Sequence, residues 1–359
     1  MRQINLSIVT RTIGSALLLL ILGCKQEKKS TIKSIETNNM EISMDTAVTS
    51  KFSIEILDDT AREIIDPTTK IEILASGFEW TEGPLYVENG DFLLFSDIPN
   101  NKVYKLDTQN DTITYLHPSG FSGDKFTGAE PGSNGLLLSP NGELVLMQHG
   151  NRQVAKMNAP LTKPNAEYIT VIDNYNDKRL NSPNDGCYDA MGNLYFTDPP
   201  YGLPEQMNDP EKELGFQGVY CLLTTGELLL VDATNTRPNG IGLSPDGKFL
   251  YVANSDPEQA IWNKYSVVSP GMVTDKKKIA DATHLVGHAN EPGLPDGLKV
   301  NKDGIIFATG PGGIWIFDSE GKALARILTG QKTANCAFGK DEKRLFMTAD
   351  DYILSVDLK

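Results

Sequence analysis

Histidine is scarce in this 359-residue chain, which has four, and cysteine is no commoner. A zinc site needs nitrogen and sulfur donors gathered at short spacing, and here they are scattered. Only His284 and His288 stand four residues apart; they lack a neighbouring Glu and flank Gly287, so a solvated loop is expected. The cysteines Cys24, Cys187, Cys221 and Cys336 lie too far apart to imply a disulfide framework, and Cys187 and Cys336 sit in apolar runs as small buried hydrophobes. Basic residues are in deficit, 33 against 47 acidic ones for a net charge of -14. Such a surface repels phosphate backbones and excludes nucleic acid as the main partner. Convincing helical periodicity is missing, and no apolar run is long enough to cross a bilayer comfortably, the longest being Ile13 to Leu22.

What is present is a globular composition, 40% hydrophobic and 22% charged, enough for a substantial core and incompatible with disorder throughout. At the N-terminus, Arg2 and Arg11 precede the short apolar run, which ends in Ile21-Leu22-Gly23-Cys24. This resembles a bacterial lipoprotein signal, cut before a cysteine that receives lipid. The implied organisation is a signal peptide over residues 1–23, a polar tether over 24–51 and a folded domain over 52–359. The protein is then expected at the cell envelope, on its periplasmic or outer-membrane face, touching membrane only through lipid on Cys24.

From about Thr69 onward, short runs of Leu, Ile, Val, Phe and Tyr alternate with Gly, Asn, Asp and Pro every eight to twelve residues, a pattern of strands and tight turns. One unit recurs: a polar residue beside Gly or Pro, an apolar strand, a turn, a second apolar strand. It begins at Glu82, Asn134, Asn184, Asn239, Asp296 and Asn335, with separations of 52, 50, 55, 57 and 39 residues. In five copies a turn glycine follows eight positions later (Gly90, Gly142, Gly192, Gly247, Gly304), with Lys343 in its place in the sixth. That period is one four-stranded blade, and six copies predict an all-β, six-bladed β-propeller. The last copy supplies only three strands, Cys336–Gly339, Arg344–Ala349 and Tyr352–Asp357, so Lys70–Ala75 is expected to complete the blade and lock the two chain ends together.

Equivalent positions in a propeller lie at equivalent heights around the axis. The six leading residues should therefore form a ring at the mouth of the central channel. All carry a side-chain carbonyl or carboxylate oxygen, and none is Lys, Arg or His. Taken singly, each is an ordinary turn former; in register, they make the oxygen-rich set that suits Ca²⁺. Other divalent ions, Zn²⁺, Mg²⁺ or Mn²⁺, are alternatives, zinc fitting less well on its ligand preference.

The motifs WTEGP (80–84), FSDIPNNKVYKLD (95–107), NSPND (181–185), FTDPPYG (196–202), RPNGIGLSPDGK (237–248) and PDGL (295–298) together resemble the gluconolactonase, regucalcin and senescence marker protein family. The resemblance runs from Gly77 to Asp357 and is nearest to the bacterial sugar lactonases. It implies a Ca²⁺-dependent hydrolase that opens a small-molecule lactone, with Glu82, Asn184, Asn239 and Asp296 as metal ligands and Asp296 as the favoured base. Ser182 stands where regucalcin-like members place a substrate-holding Arg, so animal aldonolactone specificity is not implied. Asn134 and Asn335, the remaining ring residues, are assigned to substrate, together with His149, whose ordinary pKa near 6.5 also makes it an alternative base. Asn151, Arg152, Asp198 and Tyr201 are further polar loop residues that could contact substrate or serve as turns. Gly310–Gly313 reads as a blade turn. Two other functions stay open: a non-catalytic propeller that binds a sugar or protein around a structural cation, and a paraoxonase-like ester or phosphotriester hydrolase.

Overall fold

The computed structural model describes residues 52–359; the signal peptide, Cys24 and the tether lie outside the described residues. The repeated unit folds as its pattern dictates. Its second strand is apolar at nearly every position, as in Phe92–Asp97 and Leu144–Gln148, and is buried along almost its whole length. Burial on both faces is what a strand meets when blades stack against it on either side. The outermost strand of a blade, by contrast, is largely exposed, as in Thr112–Leu116 of the first.

Six antiparallel sheets follow in chain order around the ring. Blade one is Thr81–Val87, Phe92–Asp97, Lys102–Leu106 and Thr112–Leu116; blade two is Ser133–Leu138, Leu144–Gln148, Gln153–Met157 and Tyr168–Ile172. Blade three is Gly186–Tyr188, Leu194–Asp198, Gly218–Leu222 and Leu228–Asp232; blade four is Pro238–Leu243, Phe249–Asp256, Gln259–Ser269 and Met272–Asp281. Blade five contains Leu298–Val300, Ile306–Gly310, Gly313–Phe317 and Ala323–Leu328, with Ser53–Ile56 added at its outer edge. Blade six joins Thr333–Phe338, Arg344–Ala349 and Tyr352–Asp357 to Glu72–Ser76 from the other end of the chain, with Ile73 opposite Leu354. The expected closure is therefore observed; the extra strand Ser53–Ile56 was not foreseen. Helical structure among the described residues is confined to short 3₁₀ turns.

The core is six clusters, one per blade interface. Leu94 and Leu146 pack between blades one and two, Met147 and Phe196 between two and three, Tyr195 and Val252 between three and four. Trp262 and Phe317 fill the next interface, and Phe307 and Met347 the one after. Phe95, Phe346 and Ile353 join the last blade to the first. Tyr86 and Phe346 stack across that seam at 5.7 Å, and Thr81 binds the Asp350 carbonyl through both its N–H and its hydroxyl. With every interface filled, the inner ends of the blades are held at fixed positions around the axis.

Candidate functional site

Each leading polar residue lies at or just before the start of the innermost strand of its blade. In blades one, two, four and six, pairing with the next strand slips at or beside that residue. A bulge of this kind re-aims a side chain, here toward the channel. After four of the six, Glu82, Asn134, Asn239 and Asp296, the space is tight enough to require glycine next in sequence; Asp185 and Cys336 follow the other two. A Cβ on Gly83 would sit 2.0 Å from the Asn134 carbonyl oxygen, and one on Gly240 would sit 2.2 Å from that of Asp296. Hydroxyls on the second strands fasten the blades at this level: Ser96 donates to the Asn134 carbonyl at 2.8 Å and Thr197 to the Asn239 carbonyl at 2.7 Å.

Five of the six expected ring residues, Glu82, Asn134, Asn184, Asn239 and Asp296, line one cavity of about 420 Å³ at the channel mouth. Its walls also carry Trp80, Ile98, Glu130, Tyr201, Arg237 and Lys332. The side-chain Oδ1 atoms of Asn134, Asn184, Asn239 and Asp296 are buried there without a hydrogen-bond partner. A buried acceptor left unpaired costs about 1–3 kcal/mol, and four at one place form a donor set that a bound cation would satisfy. The carboxylates agree. Burial, followed by the nearby Asp185 charge, pushes Glu82 up to about 8, although the Gly83 N–H opposes the shift. Burial and the Glu82 charge raise Asp296 well above the usual carboxylate range. Among the described residues no three His, Cys, Asp or Glu side chains cluster so as to hold a metal by themselves. The ring's donors are mixed amide and carboxylate oxygens, which fit a hard cation such as Ca²⁺.

Asn335, the sixth ring residue, is placed deeper. Its Oδ1 accepts from Lys299 at 3.2 Å and from the Cys336 N–H at 2.9 Å, and its amide donates to Asp185 at 3.2 Å. Lys299 also reaches Asp185 at 3.3 Å and the Leu298 carbonyl at 3.0 Å. An ammonium and a carboxylate, neither expected from the repeat, thus occupy the channel below the ring.

His149 is fully buried and does not line the cavity. Its Nδ1 lies 2.8 Å from a Glu130 carboxylate oxygen and its Nε2 lies 3.5 Å from the Asn184 amide nitrogen. Asp198 is buried beneath the NSPND segment, where its carboxylate accepts from the Asn181 and Ser182 N–H groups at 2.8 and 2.7 Å. Burial pushes it up to about 7 against those bonds. Arg152 turns inward to the Leu180 and Asn181 carbonyls, so it supports this segment and does not face the cavity. Asn151 bonds Ser122 and Gln148 in a surface loop. Tyr201 alone of these loop residues lines the cavity. His284 and His288 are exposed, and Gly310 and Gly313 bound the hairpin turn of blade five, both as expected. Cys187, Cys221 and Cys336 are free thiols, two buried and one half-buried.

Comparison with known proteins agrees with the fold. Residues 80–351 match the SMP-30/gluconolactonase/LRE-like region family. A gluconolactonase of Zymomonas mobilis is 40% identical over 301 residues, which span 82% of this chain and 83% of that one. The diisopropyl-fluorophosphatase of Loligo vulgaris is 25% identical over 74% of this chain and 84% of its own length. The solved structure of a gluconolactonase from Xanthomonas campestris superimposes with a TM-score of 0.72 at 25% identity, covering 86% of this chain and 95% of that one.

Proposed function

The chain belongs to the SMP-30/gluconolactonase/LRE-like family, and on that premise we propose that it is a lactonase that opens a sugar lactone at the channel mouth. The proposed cofactor is one divalent cation, Ca²⁺ before the alternatives, held by Glu82, Asn184, Asn239 and Asp296. Membership of the carboxylic ester hydrolases is supported by the 40% identity to the Zymomonas mobilis gluconolactonase. One observation carries the metal reading: the unpartnered buried oxygens of Asn184, Asn239 and Asp296 face one cavity.

Bound there, Ca²⁺ would supply Lewis-acid polarisation of the lactone carbonyl and charge to offset the carboxylates. The remaining chemistry belongs to side chains. Asp296 is the cavity carboxylate that keeps a buried oxygen without a partner, and it is assigned as the base that takes a proton from the attacking water. Returning that proton to the ring oxygen as its bond to the carbonyl carbon breaks yields the open hydroxy acid. Asn134, Tyr201 and Arg237 line the wall and are assigned to the hydroxyls of a polyol ring. Similarity to the fluorophosphatase favours a second reading on the same site, hydrolysis at phosphorus, since the same polarisation serves P=O.

Proton release from a panel of sugar lactones, with diisopropyl fluorophosphate alongside, tests both readings. Acceleration of at least one lactone with Ca²⁺, abolished by chelator, is expected. Lactone opening no faster than in buffer would refute the lactonase reading, and fluorophosphate turnover in its place would establish the second.

The location proposed is the cell envelope, through lipid on Cys24, supported by Arg2, Arg11 and the Ile21-Leu22-Gly23-Cys24 segment. Metabolic labelling with an alkyne fatty acid is expected to mark the wild type and not Cys24→Ser; equal labelling of both would contradict it.

A further inference from the structure

Asparagine is an ambiguous metal ligand, because its amide presents an oxygen in one orientation and an NH₂ in the other. An NH₂ turned toward the cavity would repel a cation. Asn184 is therefore useful only if something behind it distinguishes the two ends of the amide.

Glu130, in the loop between blades one and two, places its carboxylate 2.8 Å from His149 Nδ1. An ionised carboxylate only accepts hydrogen bonds, so this Nδ1 carries the proton. In the neutral ring Nε2 is then a lone-pair acceptor, and it faces the Asn184 amide nitrogen at 3.5 Å. The amide's NH₂ is thereby drawn toward the imidazole, and Oδ1 points the other way, where it is buried and unpartnered in the cavity. Turning the amide over would set Oδ1 against the Nε2 lone pair. The residue is held in place: its side chain is fully buried, the His149 backbone N–H donates to the Gly132 carbonyl at 3.1 Å, and Gly202 packs where a Cβ would strike the His149 backbone at 2.6 Å.

We propose that Glu130 and His149 act as one positioning pair that fixes the orientation of the Asn184 amide, and so sets the cation affinity of the ring through His149, which does not line the cavity. The inference rests on the proposed cation site. It departs from the expectation that His149 meets substrate directly, and it gives Glu130, which the repeat pattern did not flag, a role.

The test is Ca²⁺ titration of the full chain by calorimetry, with no substrate present. His149→Phe, which keeps the volume but removes the acceptor, is expected to weaken Ca²⁺ binding by about 10- to 100-fold, the usual range for residues that orient a metal ligand. Glu130→Leu is expected to do the same, and the double variant to lose no more than either alone. A carboxylate offers oxygen whichever way it turns, so in an Asn184→Asp background His149→Phe should change affinity less than about threefold. A merely structural histidine would lower affinity equally in both backgrounds, and that result would overturn the proposal. So would affinity within twofold of wild type in His149→Phe. If that variant does not fold, Glu130→Leu is compared between the wild-type and Asn184→Asp backgrounds by the same limits, which cancels the loss of its charge; its side chain is 28% exposed. Failure of the wild type itself to bind Ca²⁺ would refute the cation site; wild-type binding with unaffected variants would refute only the positioning pair.

Discussion

Replacing Asp296 by alanine is expected to lower kcat/KM for the preferred lactone by about 10³-fold or more, because one substitution removes a cavity carboxylate and the proposed base together. Asparagine at the same position separates the two roles. It retains an oxygen donor, so Ca²⁺ affinity should fall by only about tenfold, while kcat should still drop by about 10²- to 10⁴-fold through loss of proton transfer. Asp296 is suited to both tasks by its surroundings. Burial and the Glu82 charge hold its carboxyl well above the usual range, and its Oδ1 is buried and unpartnered. Initial rates at saturating Ca²⁺, paired with calorimetric affinities, check the split. Full activity in Asp296→Asn would move the base elsewhere.

The second large effect concerns Lys299. Its ammonium bridges Asp185 of blade three, Asn335 of blade six and the Leu298 carbonyl of its own blade. Burial is the largest single influence and acts to lower its pKa, but the Asp185 carboxylate and smaller contributions together reverse it, and the net shift is upward. Asp185 is itself buried, so Lys299→Met would leave an uncompensated carboxylate inside the channel, close to Glu82 and Asp296. Removing one partner of a buried pair costs about 3–5 kcal/mol. The Lys299 side chain keeps 25% exposure, which places the expected loss near the lower end, about 3 kcal/mol. Urea unfolding of the chelated protein measures it. Lys299→Met/Asp185→Asn should recover most of the loss, because the unpaired charge is gone. A single variant within 1 kcal/mol of wild type would show that the pair is solvated and does not staple the blades.

The repeat was legible because every blade uses the same local rule: a polar residue, a short inner strand, a turn, a buried strand. Blade count, ring closure through Lys70–Ala75 and the five residues that share the cavity follow from that rule. The turns were legible in the same way. Gly142, Gly192, Gly247 and Gly304 have positive φ, whereas blade one moves that conformation to Asp91 and blade six to Asp341 and Glu342. What escaped the pattern is what breaks the symmetry. Asn335 occupies an equivalent position, yet Lys299, three residues after Asp296, captures its oxygen from below. A lysine inside the short inner strand Leu298–Val300 was the available signal, and a repeat alignment treats such a residue as noise. Glu130 belongs to the loop joining blades one and two, outside the recurring strand–turn–strand unit, so nothing in the period announces it. Asp198 was ambiguous between rim and turn because both place an aspartate after an apolar strand. Its burial beneath Asn181 and Ser182 depends on how the following loop folds back, as Gly202 does when its N–H reaches the Ser182 hydroxyl at 2.7 Å.

Convergence of the ring oxygens on one hard cation is the claim from which the other expectations descend. Anomalous diffraction from crystals of the protein grown with saturating calcium tests it directly. The account predicts a single strong peak at about 2.3–2.6 Å from oxygens of Glu82, Asn184, Asn239 and Asp296. A peak bound elsewhere, or no peak with those four side chains turned away from one another, would contradict it.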